Sequence, residues 1–139
     1  MTGRPLAVAG YYLIDTQVVV WLLHDLTPLG PQSRRLLEDP ANEVVLSYFS
    51  LMEIAIKAAI GKMTYDDSIY EDLETMNIRV VNPDRQTLAA YKVHSPDNKD
   101  PFDNLLISLS VLNGYQLVTS DGPVQGLQVP GLRVINARK

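Results

Sequence analysis

The sequence contains no cysteine. This absence excludes disulfide bonds, thiolate metal sites and cysteine nucleophiles, and it is compatible with a reducing cytoplasm. Metal ligands must therefore come from oxygen atoms or from the two histidines. His24 and His94 lie outside ligand motifs such as H-E-x-x-H, and we assign them no role.

Long hydrophobic runs are also missing. The apolar stretches near the N-terminus, LAVAGYYLI and VVVWLL, are separated by Asp15, Thr16 and Gln17. Neither stretch approaches the roughly 18 apolar residues that a membrane-spanning helix needs. The N-terminus shows no convincing signal peptide. We therefore expect no membrane association and a cytoplasmic location.

The chain also lacks an excess of basic residues. The net charge is -4, and 46% of the 139 residues are hydrophobic while 20% are charged. This composition is typical of an ordinary globular protein and does not suggest a basic nucleic-acid binder. The length matches one domain with its own core. We expect residues 1–10 to form an N-terminal extension and residues 11–139 to form a single domain.

Short strand patterns alternate with helical patterns along the chain. Strands are predicted at YYLI, EVVLS, IRVV, YQLVTS and LRVIN. Helices are predicted between them at QVVVWLL, GPQSRRLLED, SLMEIAIKAAIGKM, DSIYEDLETM, PDRQTLAAYKV and PFDNLLISLSVLNG. This alternation predicts βαβ units, and hence a three-layer α/β domain whose parallel sheet is covered on both faces.

Carboxylates stand where the strands end or where the next helix begins. Asp15 follows YYLI, Asp121 follows QLVTS, and Glu53 is expected in the first turn of the helix after VVLS. Asp100 and Asp103 open the helix that precedes QLVTS. In open parallel sheets, ligands bind beyond the carboxyl ends of the strands. All five acids are therefore candidate site residues.

Three of these acids also have a purely structural explanation. Asp15 suits the N-cap of the following helix, where its oxygen would accept a backbone N–H. Ser50 and Glu53 match the spacing of a capping box. Asp121 precedes Gly-Pro and suits a turn.

The segment KDPFDNLL has a structural explanation as well. Pro101 suits the first helical position, which makes Asp100 the N-cap. Asp100 and Asp103 would each gain about 0.3 to 1 kcal/mol from the positive end of the helix dipole. The core-facing stripe is predicted to contain Phe102, Leu105, Leu106, Leu109 and Leu112.

Taken together, the acids favour a cation. Like charges gathered at one sheet edge would repel each other by several kcal/mol per close pair at an effective dielectric of about 20. A divalent cation would remove this repulsion, and a set of carboxylates suits Mg²⁺ or Mn²⁺ better than zinc. Because the sequence does not prove proximity, the capping and metal interpretations both remain open at this point.

Three segments of the chain resemble a known family. They are YLIDTQVVVWLLHD, LSYFSLMEIAIKAAIGKM and NKDPFDNLLISLSVLNGYQLVTSD. They are similar, in order and spacing, to the signature blocks of PIN-domain ribonucleases, specifically the VapC-like toxins of type II toxin-antitoxin systems. The resemblance runs from about Tyr12 to Asp121. It implies a compact α/β/α sandwich with a central, mainly parallel sheet, in agreement with the strand and helix pattern.

The resemblance also implies roles for individual residues. Those matching the catalytic and metal-binding acids of the family are Asp15, Glu53, Asp103 and Asp121. Asp100 matches an additional aspartate of the DPFD form, as a cap or an orienting group. Thr16, Thr119 and Ser120 could donate hydrogen bonds that orient the carboxylates. The positions that depart from the usual pattern are Gln17, Met52, Asn98 and Asn104.

The implied activity is hydrolysis of RNA phosphodiester bonds with Mg²⁺ or Mn²⁺ as cofactor. The implied partners are an RNA substrate, a cognate antitoxin protein and a second copy of the chain in a homodimer. The net negative charge argues against RNA binding, although lysines could rim the site, namely Lys57, Lys62, Lys92 and Lys99. Lys57 also stands four residues after Glu53 and could simply pair with it.

Two other functions remain as alternatives. One is a phosphatase-like hydrolase with Asp15 as nucleophile, although Gln17 stands where a second aspartate would be expected. The other is a non-catalytic RNA- or protein-binding domain of the same fold. The complete set of acids argues against this last alternative.

Overall fold

The computed structural model describes residues 8–94 and 100–139, except for the side chain of His94. Asn98 and Lys99 therefore lie outside the described residues, as do residues 1–7 of the expected N-terminal extension. The strands are β1 (Gly10–Ile14), β2 (Asn42–Ser47), β3 (Ile78–Val81), β4 (Gln116–Thr119) and β5 (Arg133–Asn136). The helices are α1 (Thr16–His24), α2 (Pro31–Glu38), α3 (Tyr48–Ala59), α4 (Ile69–Thr75), α5 (Arg85–His94), α6 (Pro101–Asn113) and α7 (Gly122–Gln125).

The strands form one parallel sheet in the order β3-β2-β1-β4-β5. β1 is the central strand, and its Leu13 pairs with Val45 of β2 on one side and with Leu117 of β4 on the other. The chain runs outward from β1 to β3 and then returns to the other side of β1 for β4. The gap between the carboxyl ends of β1 and β4 is therefore the topological switch point, where α/β sheets bind ligands.

Helices cover both faces of the sheet, which confirms the predicted three layers. On one face, Ile14 and its sheet neighbours pack with buried side chains of α1, α3 and α4. On the other face, Leu13 packs with α6 and with Val124 of α7. Leu13 and Ile14 are both fully buried, as expected for consecutive residues of a parallel strand covered on both sides.

Several predicted features differ from the observed ones. β1 begins at Gly10, the last residue of the expected N-terminal extension and one residue before the predicted strand. α3 begins at Tyr48, directly after β2, so the expected capping box at Ser50 is wrong. A short helix, α7, replaces the turn expected after Asp121. Leu112 is 41% exposed and does not belong to the core stripe of α6.

The stripe of core-facing residues predicted for α6 leaves out several buried residues in the middle of the helix. Every residue from 104 to 110 is buried, including Ile107, which the helical spacing left out. The reason is that α6 packs against the sheet and is also contacted by α5. A helix enclosed on several sides does not keep an amphipathic pattern.

The described helices are short. The longest, α6, has 13 residues, and no helix in the described part of the chain is both long enough and apolar enough to cross a bilayer.

Candidate active site

Asp15 lies at the switch point, between the end of β1 and the start of α1. Its Oδ1 accepts a hydrogen bond from the Val18 backbone N–H at 2.8 Å, which confirms the predicted N-cap. Its Oδ2 accepts from the Thr119 hydroxyl at 2.7 Å and from the Ser120 backbone N–H at 3.0 Å. The side chain is therefore fixed by α1 and by the end of β4 together.

Burial raises the pKa of Asp15 above its ordinary value. The hydrogen bonds from Thr119, Val18 and Ser120 act in the opposite direction, because they stabilise the charged form. The negative charge of Asp121 adds to the increase in pKa. Asp15 is thus a buried carboxylate whose ionisation depends on donors that the fold supplies.

Asp121 follows β4 and caps α7. Its Oδ1 accepts from the Val124 backbone N–H at 3.4 Å, while its own backbone N–H donates to the Thr119 hydroxyl oxygen at 3.0 Å. The Thr119 hydroxyl therefore accepts from Asp121 and donates to Asp15. This buried hydroxyl links two of the predicted acids, in agreement with the orienting role expected for it.

Glu53 reaches the same region from α3. Because α3 begins at Tyr48 and is capped by Ser47, Glu53 lies in the second helical turn instead of the predicted first turn. The Thr16 hydroxyl donates to Glu53 Oε1 at 2.5 Å, and Lys57 Nζ lies 3.1 Å from Glu53 Oε2. Both carboxylate oxygens are therefore engaged, one by the Thr16 hydroxyl and the other by the predicted Lys57 pair.

Asp100 and Asp103 divide their roles at the start of α6. Asp100 Oδ1 accepts from the backbone N–H groups of Phe102 and Asp103, at 2.9 and 3.3 Å, with Pro101 as the first helical residue. This confirms Asp100 as the N-cap. Asp103, in the first turn of the helix, is half-buried and lines the cavity.

The pKa of Asp103 is also strongly raised. Burial, a hydrogen bond with Asp121 and the negative charges of Asp100, Asp121 and Asp15 raise its pKa from 3.8 to about 8. Neighbouring carboxylates disfavour a further negative charge, so Asp103 keeps its proton near neutral pH in the metal-free protein. Strongly perturbed groups in a cleft are typical of functional sites.

The predicted acids line one cavity of about 150 Å³ at the switch point. The residues lining it are Asp15, Thr16, Gln17, Val20, Glu53, Lys57, Met63, Asp100, Asp103, Ser120 and Asp121. The structure therefore brings together all five acids that the sequence singled out. Lys62 and Lys92, expected at its rim, are exposed but do not line it.

Some lining residues carried little or no signal in the sequence. Met63 and Val20 were not predicted as site residues, because an apolar residue in a loop or on a helix gives no indication of a site. Gln17 was noted only as a departure from the family pattern, and it lines the cavity. Of the other departures, Met52 is exposed on α3 and Asn104 is buried in α6.

The carboxylates match the ligands that a hard divalent cation prefers, since all of them are oxygen donors. Within residues 8–94 and 100–139, however, no group of three or more His, Asp or Glu side chains is arranged to hold a metal ion as it stands. The reason is visible in the contacts: the oxygens of Asp15 and Glu53 are engaged, and Asp103 shares a hydrogen bond with Asp121. Metal binding at this site would require Asp103 to lose its proton and its hydrogen bond with Asp121.

Two larger cavities lie elsewhere in the part of the chain that the structure describes. One, of about 220 Å³, lies between α1, α3 and α4, and the other, of about 380 Å³, lies near the starts of β2 and β3. Neither is lined by any of the five acids. Chemistry therefore identifies the smaller cavity as the candidate active site, where perturbed acids converge beyond the strand ends.

The fold and the site together define a parallel α/β domain with a cavity of acids at its switch point. The family model described as PIN domain matches residues 12–123. The chain belongs to the PIN-domain family. PIN domains are nucleases, so the general class of activity is hydrolysis of nucleic acid. A search of curated proteins finds no match.

Several solved structures have a similar fold. VapBC2 from Rickettsia felis, bound to a DNA fragment from its promoter, includes a chain with a TM-score of 0.65 and 16% identity, over 91% of this chain and 98% of that one. VapBC-1 from nontypeable Haemophilus influenzae gives a TM-score of 0.64 and 21% identity, over 93% and 99%. A toxin-antitoxin complex from Klebsiella pneumoniae gives 0.61 and 14%, over 91% and 97%. At these identities the similarity concerns the fold.

Proposed function

We propose that this protein is a metal-dependent endoribonuclease that acts in the cytoplasm as the toxin of a toxin-antitoxin pair. The observation that carries the proposal is the convergence of five acids in one cavity, where Asp103 has a pKa of about 8. Membership of a nuclease family supports the reaction class. The similarity to VapBC complexes supports the biological role.

Mg²⁺ or Mn²⁺ is the cofactor that this set of ligands suits. Asp15 and Asp103 would be its principal ligands, with Glu53 and Asp121 as further ligands or as acceptors for ordered water. When bound, such an ion supplies a Lewis acid and an activated water for attack on a phosphodiester. No covalent nucleophile is required.

The protein's own groups would orient these ligands. Thr119 and the Ser120 backbone N–H hold Asp15 Oδ2, which leaves its carboxylate in one fixed plane. Thr16 holds Glu53 from the neighbouring helix. Such contacts reduce the reorganisation needed during the reaction.

The partners follow from the same proposal. The similar structures include complexes described as VapBC and as toxin-antitoxin. We expect a cognate antitoxin to bind this protein and cover the acidic cavity, and we expect the protein to form a homodimer.

Cleavage of structured RNA by the purified protein tests the proposal. We expect cleavage with Mg²⁺ or Mn²⁺ and none with chelator. Asp15→Asn and Asp103→Asn should each lose at least about 100-fold in rate, the usual effect of removing a group that stabilises transition-state charge. Asp67→Asn is the matched control, because Asp67 is exposed and does not line the cavity.

All variants must be purified identically, because contaminating ribonuclease would cleave RNA in every sample. Cleavage that survives Asp15→Asn or Asp103→Asn would overturn the proposed site. Intact binding of RNA without any cleavage would favour the non-catalytic alternative.

No structural observation favours the phosphatase-like alternative. A hydrolase of this kind would carry a second aspartate two residues after Asp15, where Gln17 stands. Release of phosphate from a small monoester, lost in Asp15→Asn, would nevertheless support it against the ribonuclease.

A further inference from the structure

The negative charge of the acidic cavity opposes the binding of nucleic acid, which is also negatively charged. It is lined by five carboxylates, and the protein as a whole carries a net charge of -4. Phosphodiester backbones bind mainly through Lys and Arg contacts. A divalent cation would neutralise part of the cavity, but it would not hold the phosphates that flank the reacting one.

Lys57 is the one positively charged side chain among the described residues that line this cavity. It lies one helical turn after Glu53 on α3, and its Nζ is 3.1 Å from Glu53 Oε2. Its side chain is 42% exposed, whereas that of Glu53 is 16% exposed. The ammonium group therefore stands on the solvent side of the acid, at the mouth of the cavity.

The ion pair with Glu53 does not by itself explain this position. Exposed i,i+4 pairs contribute little to stability. Glu53 is also held by the Thr16 hydroxyl, so it keeps its orientation without the lysine. A lysine has a flexible four-carbon stem and three donors, so its ammonium can turn from a carboxylate to a nearby phosphate.

We infer that Lys57 binds a backbone phosphate of the RNA next to the reacting phosphodiester, leaving Glu53 as it does so. This inference rests on the proposed ribonuclease function. Lys57 is then a substrate-binding residue at the cavity mouth, and its pair with Glu53 holds the ammonium in place before RNA arrives.

RNA binding in an inactive background tests the inference. A labelled single-stranded RNA of mixed sequence is titrated with Asp103→Asn and with the same variant also carrying Lys57→Met, Lys57→Arg or Lys62→Met. Lys62 is the matched control, because it follows the same helix but does not line the cavity. The dissociation constant is measured at several salt concentrations.

One lost phosphate contact lowers the slope of log affinity against log salt by about 0.7 for a single strand. This corresponds to about fivefold weaker binding at 0.1 M salt. We expect both changes for Lys57→Met, neither for Lys62→Met, and nearly full binding for Lys57→Arg. A purely structural role for Lys57 would leave the slope unchanged.

An unchanged slope in Lys57→Met would overturn the inference, and so would the absence of any RNA binding by the parent variant. Thermal unfolding checks that each variant is folded, and Lys57→Gln replaces Lys57→Met if the latter is not. If binding depends on Lys57 but the wild-type protein does not cleave RNA, the phosphate contact stands and the proposed ribonuclease fails. In active protein, Lys57→Met should raise KM and leave kcat nearly unchanged.

Discussion

The first turns of α1 and α6 both begin at the acidic cavity, but they supply its aspartates in different ways. Each helix begins at the cavity with an aspartate N-cap, Asp15 in α1 and Asp100 in α6. The third helical residue is Val18 in α1 but Asp103 in α6. In α1, one buried carboxylate both caps the helix and belongs to the site. In α6, an exposed residue caps the helix and a second aspartate enters the cavity.

In α1 one residue serves both as the N-cap and as a candidate site acid, whereas α6 uses Asp100 as the N-cap and Asp103 as the second acid. Asp15 accepts hydrogen bonds from three donors, so its side chain holds α1 and the end of β4 together as well as lining the cavity. Asp103 is surrounded by other acids, and its raised pKa is a cost of the site. Replacing these residues should therefore have opposite effects on stability.

The largest effect on folding is expected for Asp15→Ala. The change removes the cap of α1 and leaves the Thr119 hydroxyl and the Ser120 N–H without their acceptor. We expect a loss of about 2 to 4 kcal/mol in the free energy of unfolding, from the cap and the unsatisfied buried donors. Urea unfolding followed by circular dichroism measures this loss. A smaller loss in the free energy of unfolding for Asp15→Ala than for Asp100→Ala would contradict the larger contribution to stability expected of Asp15.

A smaller and opposite effect is expected for Asp103→Asn in the absence of metal. The pKa of Asp103 is about 8 in the folded protein, against an ordinary value of 3.8. The folded state therefore binds the proton more tightly, and this contribution to stability is complete below about pH 4 and is lost as the pH rises to about 8. Solvent screens a half-buried group, which keeps the change modest.

Thermal unfolding across this pH range measures the effect. The wild-type Tm should fall relative to that of Asp103→Asn between about pH 4 and pH 8, and the difference should be constant above this range. Asp67→Asn controls for loss of one surface carboxylate. A wild-type Tm that does not fall relative to the variant would contradict the raised pKa.

The smallest effect is expected for Asp100→Ala, which removes the cap of α6 and one of the charges that raise the pKa of Asp103. Its oxygen accepts from the Phe102 and Asp103 N–H groups at an exposed position. We expect a loss of about 1 kcal/mol in the free energy of unfolding, and Asp100→Ser should restore most of it. Urea unfolding compares the two variants. Failure of the serine to restore stability would assign Asp100 a role other than capping.

Sequence patterns predicted much of the fold because the relevant forces are local. Asp15 and Asp100 are short polar residues before helical segments, and both proved to be N-caps. The strand patterns give the five strands of the sheet, with ends shifted by a residue or so. Glu53 was misplaced within its helix, because α3 begins directly at the end of β2 and its capping residue, Ser47, belongs to that strand.

The resemblance to PIN domains singled out acids that line one cavity, but spacing alone left their proximity open. Asp15 and Thr119 are 104 positions apart in sequence, and only the parallel pairing of β1 with β4 brings them within hydrogen-bond distance. The buried Ile107 shows the same limit, since helical spacing does not reveal that a helix is enclosed on several sides.

The sequence by itself determined the kinds of groups available: oxygen ligands without thiols, aspartates before helices, and strands alternating with helices. The tertiary structure decided how strongly those groups interact. Asp100 and Asp103 are the same chemical group three residues apart, yet Asp100 is exposed and Asp103 is half-buried. Asp103 has a pKa of about 8 because burial, a hydrogen bond with Asp121 and the charges of Asp100, Asp121 and Asp15 act on it. Electrostatic interaction depends on distance and on exclusion of water, and both are properties of the folded chain.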